Sequence, residues 1–291
     1  MKVLKRIIYI LGGLVGLLLV AVVGLYFVAN WRLNNPTASG RPVQIPTNAA
    51  VIARGEHLVH AVTDCAGCHG NNLEGKTLLD DPQLGYIAAS NLTRGAGGVG
   101  ASFTLEDWEL AIRHGIGGDG RALGAMPSHH YAHLSDADLG AILAYIQSVP
   151  PVDHELPPRQ LSFIATLLFG TVAYGDLPVT LIEHATVGGD APPEGVTVEY
   201  GQYLVDIATC GDCHGADLRG RSPKEAETGP PAGPNLVAAA TWSEQEFITT
   251  MRTRRTPSGR QLSEEMPSAY GGMTDAELQA IWRYLRHYFT Q

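Results

Sequence analysis

The longest hydrophobic run lies at the start of the chain, where Ile7 to Ala29 is 23 residues without a charge. As a helix it would be about 34 Å long at 1.5 Å per residue, enough to cross a hydrocarbon core of ~30 Å. Lipid offers backbone N–H and C=O groups no partners, so such a span must be helical. Lys2, Lys5 and Arg6 precede it; the positive-inside rule then leaves the N-terminus in the cytoplasm and exports the rest. Tyr26, Phe27 and Trp31 suit the outer interface. A cleaved signal peptide is the competing reading. The run is longer than a usual h-region and no clean A-x-A site follows, so a retained anchor is expected over residues 1–33. Asn34 to Thr47 is polar with three prolines and reads as an extended, semi-stiff linker reaching residue 50.

Helical periodicity returns twice. Leu139, Ile142, Leu143 and Ile146 follow Ser135-x-x-Asp138, and Leu278, Ile281, Trp282 and Leu285 follow Thr274-x-x-Glu277. Both are amphipathic patterns behind a capping box. Pro150-Pro151 stops the first. Leu161 to Tyr174 is a 14-residue apolar run, too short to span. A helix packed between two domains is the favoured reading. An interfacial or partner-docking segment is the functional alternative.

Composition narrows the class. The chain has 291 residues, 45% hydrophobic, which excludes disorder. Gly 34 and Pro 18 indicate helices joined by long, turn-rich loops. The net charge of −9 argues against nucleic-acid binding, which needs a basic footprint. Residues 1–47 hold five basic groups and no acid, so the remainder carries −14. An acidic globular part attracts a basic partner.

All four cysteines fall in two motifs, Cys65-Ala-Gly-Cys68-His69 and Cys210-Gly-Asp-Cys213-His214. C-x-x-C-H is the attachment pattern of c-type haem. Two thiols on one turn can each add to a vinyl group of the same porphyrin, and the next residue then supplies an axial nitrogen to the iron. Paired C-x-x-C is also a zinc signature, but 141 residues separate Cys68 from Cys210, too many for a compact ribbon. A redox C-x-x-C requires no histidine, and a disulfide within one C-x-x-C is strained.

The motifs sit in an internal repeat. Arg54-Gly55-Glu56-His57-Leu58-Val59 matches Tyr200-Gly201-Gln202-Tyr203-Leu204-Val205. Asn72-Leu73-Glu74-Gly75 matches Asp217-Leu218-Arg219-Gly220, Asn91-Leu92 matches Asn235-Leu236, and Met126-Pro127-Ser128 matches Met266-Pro267-Ser268. The chain therefore divides into domain one at 51–150, an inter-domain segment at 151–196 and domain two at 197–291.

Each half resembles a class I cytochrome c domain. The whole resembles membrane-anchored dihaem c-type cytochromes, including the haem-c subunits of membrane-bound alcohol and gluconate dehydrogenases. Ser90-Asn91-Leu92-Thr93, Ile112-Arg113-His114-Gly115 and Met126-Pro127 are particularly similar to those subunits. Such subunits usually carry three haem domains, whereas this chain has two. The fold implied is mostly α: an N-terminal transmembrane helix and two tandem cytochrome c domains.

The resemblance implies two haems c and a methionine sulfur as second axial ligand. Met126 lies 57 residues beyond His69 and Met266 lies 52 beyond His214; Met251 and Met273 have no counterpart in the other half. His129, His130 and His133 could compete with Met126, but are not repeated and read as surface or propionate-side groups. Arg113, Arg121, Arg252 and Arg260 are candidate propionate contacts, with Trp108 and Phe247 as corresponding ring contacts. Pro234 is expected to set its carbonyl against the ring N–H of His214.

The leading function is electron transfer by a single-pass carrier of the bacterial cytoplasmic membrane with its haem domains in the periplasm. It would relay electrons from dehydrogenase- or quinol-linked donors to an oxidase, soluble cytochrome or reaction centre, with no catalytic residue of its own. A dihaem peroxidase and a haem-bearing structural subunit are the alternatives.

Overall fold

Helices dominate the computed structural model, which describes residues 2–171, 175–226 and 231–290. Helix α1 (Lys2–Asn34) contains the apolar run, and its side chains from Val3 to Phe27 are largely exposed. It is long and apolar enough to cross a membrane. Its last turns differ: Ala29 and Leu33 are buried, and Leu33 joins a small core with Ile116, Ala122, Leu177 and Val179. The linker is a strap rather than a free spacer. Val43 is buried, and the Arg41 backbone N–H donates to Glu109 Oε2 at 2.9 Å.

Domain one comprises α2 (Ala49–His57), continued by a π-helical turn at Leu58–Val62, α3 (Cys65–His69), α4 (Leu105–His114), α5 (Ser128–Tyr131) and α6 (Asp136–Ser148). Domain two comprises α8 (Val198–Ile207), α9 (Cys210–His214), α10 (Pro223–Ala226), α11 (Val237–Thr241), α12 (Glu244–Thr253) and α13 (Asp275–Thr290). Thr104 with Asp107 and Ser243 with Glu246 form full capping boxes on α4 and α12, a further correspondence between the halves.

In each domain the first helix crosses the last at a glycine. A Cβ on Gly55 would fall into the Ala141 carbonyl of α6, and one on Gly201 into the Ala280 carbonyl of α13. Backbone blocks relief, so Gly201→Ala is expected to cost about 3 kcal/mol or more. The transition of domain two should then fall by on the order of 12–24 °C in thermal unfolding.

The segment after Pro151 belongs beside domain one, not between the domains. β1 (Lys76–Asp81), β2 (Gly85–Ala89) and β3 (Gln160–Leu161) form an antiparallel sheet in that order, with an irregularity between Thr77 and Leu79. Asn91 Nδ2 donates to the Val152 carbonyl at 2.8 Å. The apolar run forms α7 (Phe163–Gly170), which packs on α1; residues 172–174 of that run lie outside the described residues. The favoured expectation of a helix between the domains is therefore corrected. Small residues allow the close crossing, since a Cβ on Gly170 would meet the Ala29 carbonyl and side chain. Tyr26 stacks on Phe163 with ring centroids 4.9 Å apart, and Arg32 Nη1 donates to the Gly170 carbonyl. Phe163 and Ile164 remain exposed next to α1.

One hydrophobic core runs through both domains. Tyr203 Oη donates to Asp138 Oδ2 at 2.7 Å, while its repeat counterpart His57 has Nε2 2.7 Å from Glu277 Oε2. Arg54 bridges the two acids, with Nε to Asp138 Oδ1 and Nη1 to Glu277 Oε1 both at 3.1 Å. Glu277 also caps α13 reciprocally with Thr274. The Ser135 hydroxyl accepts from the Asp138 N–H, but the Asp138 carboxylate turns to Arg54 and Tyr203 instead of closing its box.

Burial opposes ionisation of Glu277, yet the His57 and Thr274 hydrogen bonds and the Arg54 charge outweigh it and hold the carboxyl down to about 2. A depressed acid stabilises the fold above its ordinary range near 4.5, and that contribution is lost as pH falls toward 2. Acid denaturation of the holoprotein should therefore show a loss on the order of 3 kcal/mol across that window. Glu277→Gln should remove it, as read from unfolding midpoints against pH.

Candidate haem-binding sites

The two attachment turns are built alike at the backbone. Asp64 and Thr209, immediately before the first cysteine of each motif, are left-handed with φ of 48° and 54°. This conformation costs a non-glycine residue on the order of 1 kcal/mol and sets the turn that begins α3 and α9. Leu73 and Leu218 share φ of 60° and 56°. Gly75 N–H donates to the His69 carbonyl and Gly220 N–H to the His214 carbonyl, both at 2.6 Å. The loop after each motif is thus the same structure made twice.

None of the four cysteines is paired with another in a disulfide. Cys65 and Cys68 share one short helix and Cys210 and Cys213 another. Burial pushes the Cys65 thiol up to about 11 and Cys210 up to about 12, and raises Cys68 and Cys213 as well. The pairs do not converge on a shared cation site among the described residues, which removes the geometric basis of a four-cysteine zinc centre.

Each imidazole is oriented by a carbonyl. His69 Nδ1 lies 2.7 Å from Ser90 O, and His214 Nδ1 lies 2.7 Å from Pro234 O. Burial lowers the pKa of both rings. A neutral imidazole donating through Nδ1–H keeps its lone pair on Nε2, the form a metal requires.

Each histidine opens on an apolar cavity. The first has a volume of about 350 Å³ and is lined by Cys65, His69, Phe103, Trp108, Met126 and Tyr131, among others, a size in the ~300–1,000 Å³ range of small-molecule sites. The second is tighter, about 60 Å³, and is lined by Cys210, His214, Phe247, Met251, Met266, Tyr270 and Met273, among others. Tyr131 donates to the Thr63 carbonyl at 2.7 Å and Tyr270 to the Ala208 carbonyl at 2.6 Å, fixing corresponding walls. Met126 and Met266 thus each share a cavity with the histidine of their own half. Sequence spacing did not show that Met251 and Met273 enter the second cavity too.

The arginines are placed differently from the methionines. Arg113 is fully buried and donates to the Leu134 carbonyl at 2.7 Å, with Asp136 Oδ1 2.8 Å from Nη1; it is not among the lining residues of the first cavity. Arg121 pairs with Asp119, which does line that cavity. Arg252 pairs with Asp275 at 2.8 Å, and Arg260 is exposed. His133 is exposed, but His129 and His130 are half-buried against Asp212 of domain two rather than on the surface.

Relatives fit this arrangement. The chain is 31% identical over 273 residues to the fructose dehydrogenase cytochrome subunit of Gluconobacter japonicus, a match covering 84% of this chain and 54% of that protein. It is 29% identical to the gluconate 2-dehydrogenase cytochrome c subunit of Pantoea cypripedii, over 82% of this chain and 60% of the relative. It therefore spans only half to three-fifths of those proteins. A dihaem cytochrome c-type protein of Cereibacter sphaeroides is 27% identical, with 93% of this chain and 96% of that protein aligned. The cytochrome c family model matches residues 52–150 and again 198–288. These two matches cover both motif-bearing halves, and the chain belongs to the cytochrome c family, whose domains bind haem c covalently.

Proposed function

We propose that this chain is a membrane-anchored electron carrier that holds one haem c in each half. The observation that carries this reading is the duplicated constellation: a Cys-x-x-Cys-His turn, an imidazole tied to a carbonyl, and a methionine on the cavity wall, at matching repeat positions. Cys65 and Cys68, and Cys210 and Cys213, would form the thioethers. His69 with Met126, and His214 with Met266, would supply the axial pairs, and when bound the iron supplies a one-electron couple. The chain's own residues do the rest. Ser90 and Pro234 carbonyls hold the imidazoles, Trp108 and Phe247 exclude water, and Arg121, on a loop, and Arg252, in the last turn of α12, would face propionates.

The burial of Ala29 and Leu33 in the domain-one packing supports a retained anchor, because cleavage beyond them would strip part of a core. Lys2, Lys5 and Arg6 support a cytoplasmic N-terminus, with the globular part in the periplasm. The names of the relatives support a place as a dehydrogenase-linked cytochrome subunit, which would pass electrons on to an oxidase, soluble cytochrome or reaction centre. The acidic globular part favours a basic redox partner.

Redox titration of the full-length chain in mild detergent, followed by visible and paramagnetic resonance spectroscopy, tests this reading. Two low-spin, one-electron centres without peroxide turnover are expected. A high-spin centre that turns over peroxide would instead identify an enzyme of the peroxidase type.

A further inference from the structure

Where the loop after Met126 meets domain two, the repeat breaks. His129 Nε2 and His130 Nε2 each lie 3.0 Å from the same atom, Asp212 Oδ1 of α9. Ligand atoms of the three residues all fall within 4.8 Å of one another, and no other group of three or more such residues is found among the described residues. The two rings are 4.3 Å apart. Gly211 permits this approach, since a Cβ there would already sit 3.2 Å from His130 Cε1. Domain one has Gly67 at the position of Asp212, and domain two has Ala269 and Tyr270 after Met266-Pro267-Ser268. The framework shared by both halves therefore does not require this cluster.

Its chemistry is that of a cation site. Two imidazole nitrogens and one carboxylate oxygen suit zinc, copper or nickel rather than calcium or magnesium. Three protein ligands leave a fourth tetrahedral position for water. The side chains are 21%, 16% and 21% exposed, which leaves a solvent path for an ion. His129 Nδ1 is buried with no hydrogen-bond partner among the described residues, so the polar capacity of the cluster is not used up within the protein.

We propose that His129, His130 and Asp212 form an inter-domain site for a borderline divalent cation of the zinc class, which ties the Met126 loop to the Cys210–His214 turn. None of the three is a haem ligand in the reading above, so the site can be tested apart from it. Bound cation would add coordination bonds between the two domains where His129 and His130 hydrogen-bond to one carboxylate oxygen.

Zinc titration of the full-length chain in detergent, by calorimetry with elemental analysis after dialysis, is the test. One equivalent should bind to the wild-type chain. His130→Gln and Asp212→Asn should each weaken it by roughly 100-fold, a first-ligand loss at the upper end of the ~10–100-fold seen for supporting residues. His133→Gln, at an exposed position outside the cluster, should bind as wild type does. X-ray absorption at the zinc edge of the wild-type complex should show two imidazoles and oxygen at about 2.0–2.2 Å, a readout that needs no variant to fold. Absence of stoichiometric zinc, a sulfur-bearing shell, or binding unchanged in a folded His130→Gln chain would overturn the proposal and leave the cluster as a hydrogen-bonded latch.

Discussion

Replacing Cys210 and Cys213 together with alanine is expected to halve the covalent haem content and leave the haem of domain one in place. The two cavities share no lining residue: the first is walled by residues between Thr63 and Ile146, the second by residues between Val205 and Leu285. Each thiol pair stands on its own helical turn, held by its own left-handed residue, Asp64 or Thr209. Attachment in one half is therefore expected to proceed without a haem in the other. The complementary Cys65→Ala/Cys68→Ala chain should retain only the second haem. Haem absorbance per polypeptide measures both. The interface through Arg54, Asp138 and Glu277 makes some loss of thermal stability expected in either variant. Complete loss of haem from both halves would show that the domains mature as one unit.

Met126→His should lower the midpoint potential of the first haem while leaving the second unchanged. Thioether sulfur favours the reduced iron relative to imidazole nitrogen, and axial ligation spans ~0.8 V across haem proteins. A shift on the order of 0.1–0.3 V lies within that range. Spectroelectrochemistry would read it as one of two waves moving down. In domain two the same experiment has three candidates, because Met251, Met266 and Met273 all line the cavity. Met266→His should reproduce the shift; Met251→Leu and Met273→Leu should not, since the corresponding residues on the first cavity, Ile112 and Leu134, carry no sulfur. A shift produced by Met273→Leu, the most buried of the three at 1% exposed, would reassign the ligand.

Features carried by local chemistry were legible in the sequence. The 23-residue uncharged run foretold a long apolar helix, which α1 contains, and Ser135 and Thr274 cap their helices where the spacing predicted. The repeat extended to backbone angles, at Asp64 with Thr209 and Leu73 with Leu218. Features that depend on chain segments meeting in space were not legible. β3 is two residues that pair with β2 from a distant point in the chain, and β1, Lys-Thr-Leu-Leu-Asp-Asp, shows no clean alternation. The run at 161–174 identified a helix but not its partner, which is decided by Gly170 and Ala29 at the crossing. Arg113 turns into a buried network because Asp136 stands across from it, a partner that repeat spacing does not reveal. Asp212 read as one of two variable residues in a haem motif, and only the docking of the two domains sets it beneath His129 and His130.

The central claim is that each half carries its own covalently held haem on a chain that keeps its N-terminal helix. The mass of the full-length protein, isolated from membranes and denatured so that only covalent groups remain, tests it most directly. The predicted result is the complete polypeptide plus two haems; a mass equal to the bare polypeptide, or to the polypeptide with a single haem, would contradict it.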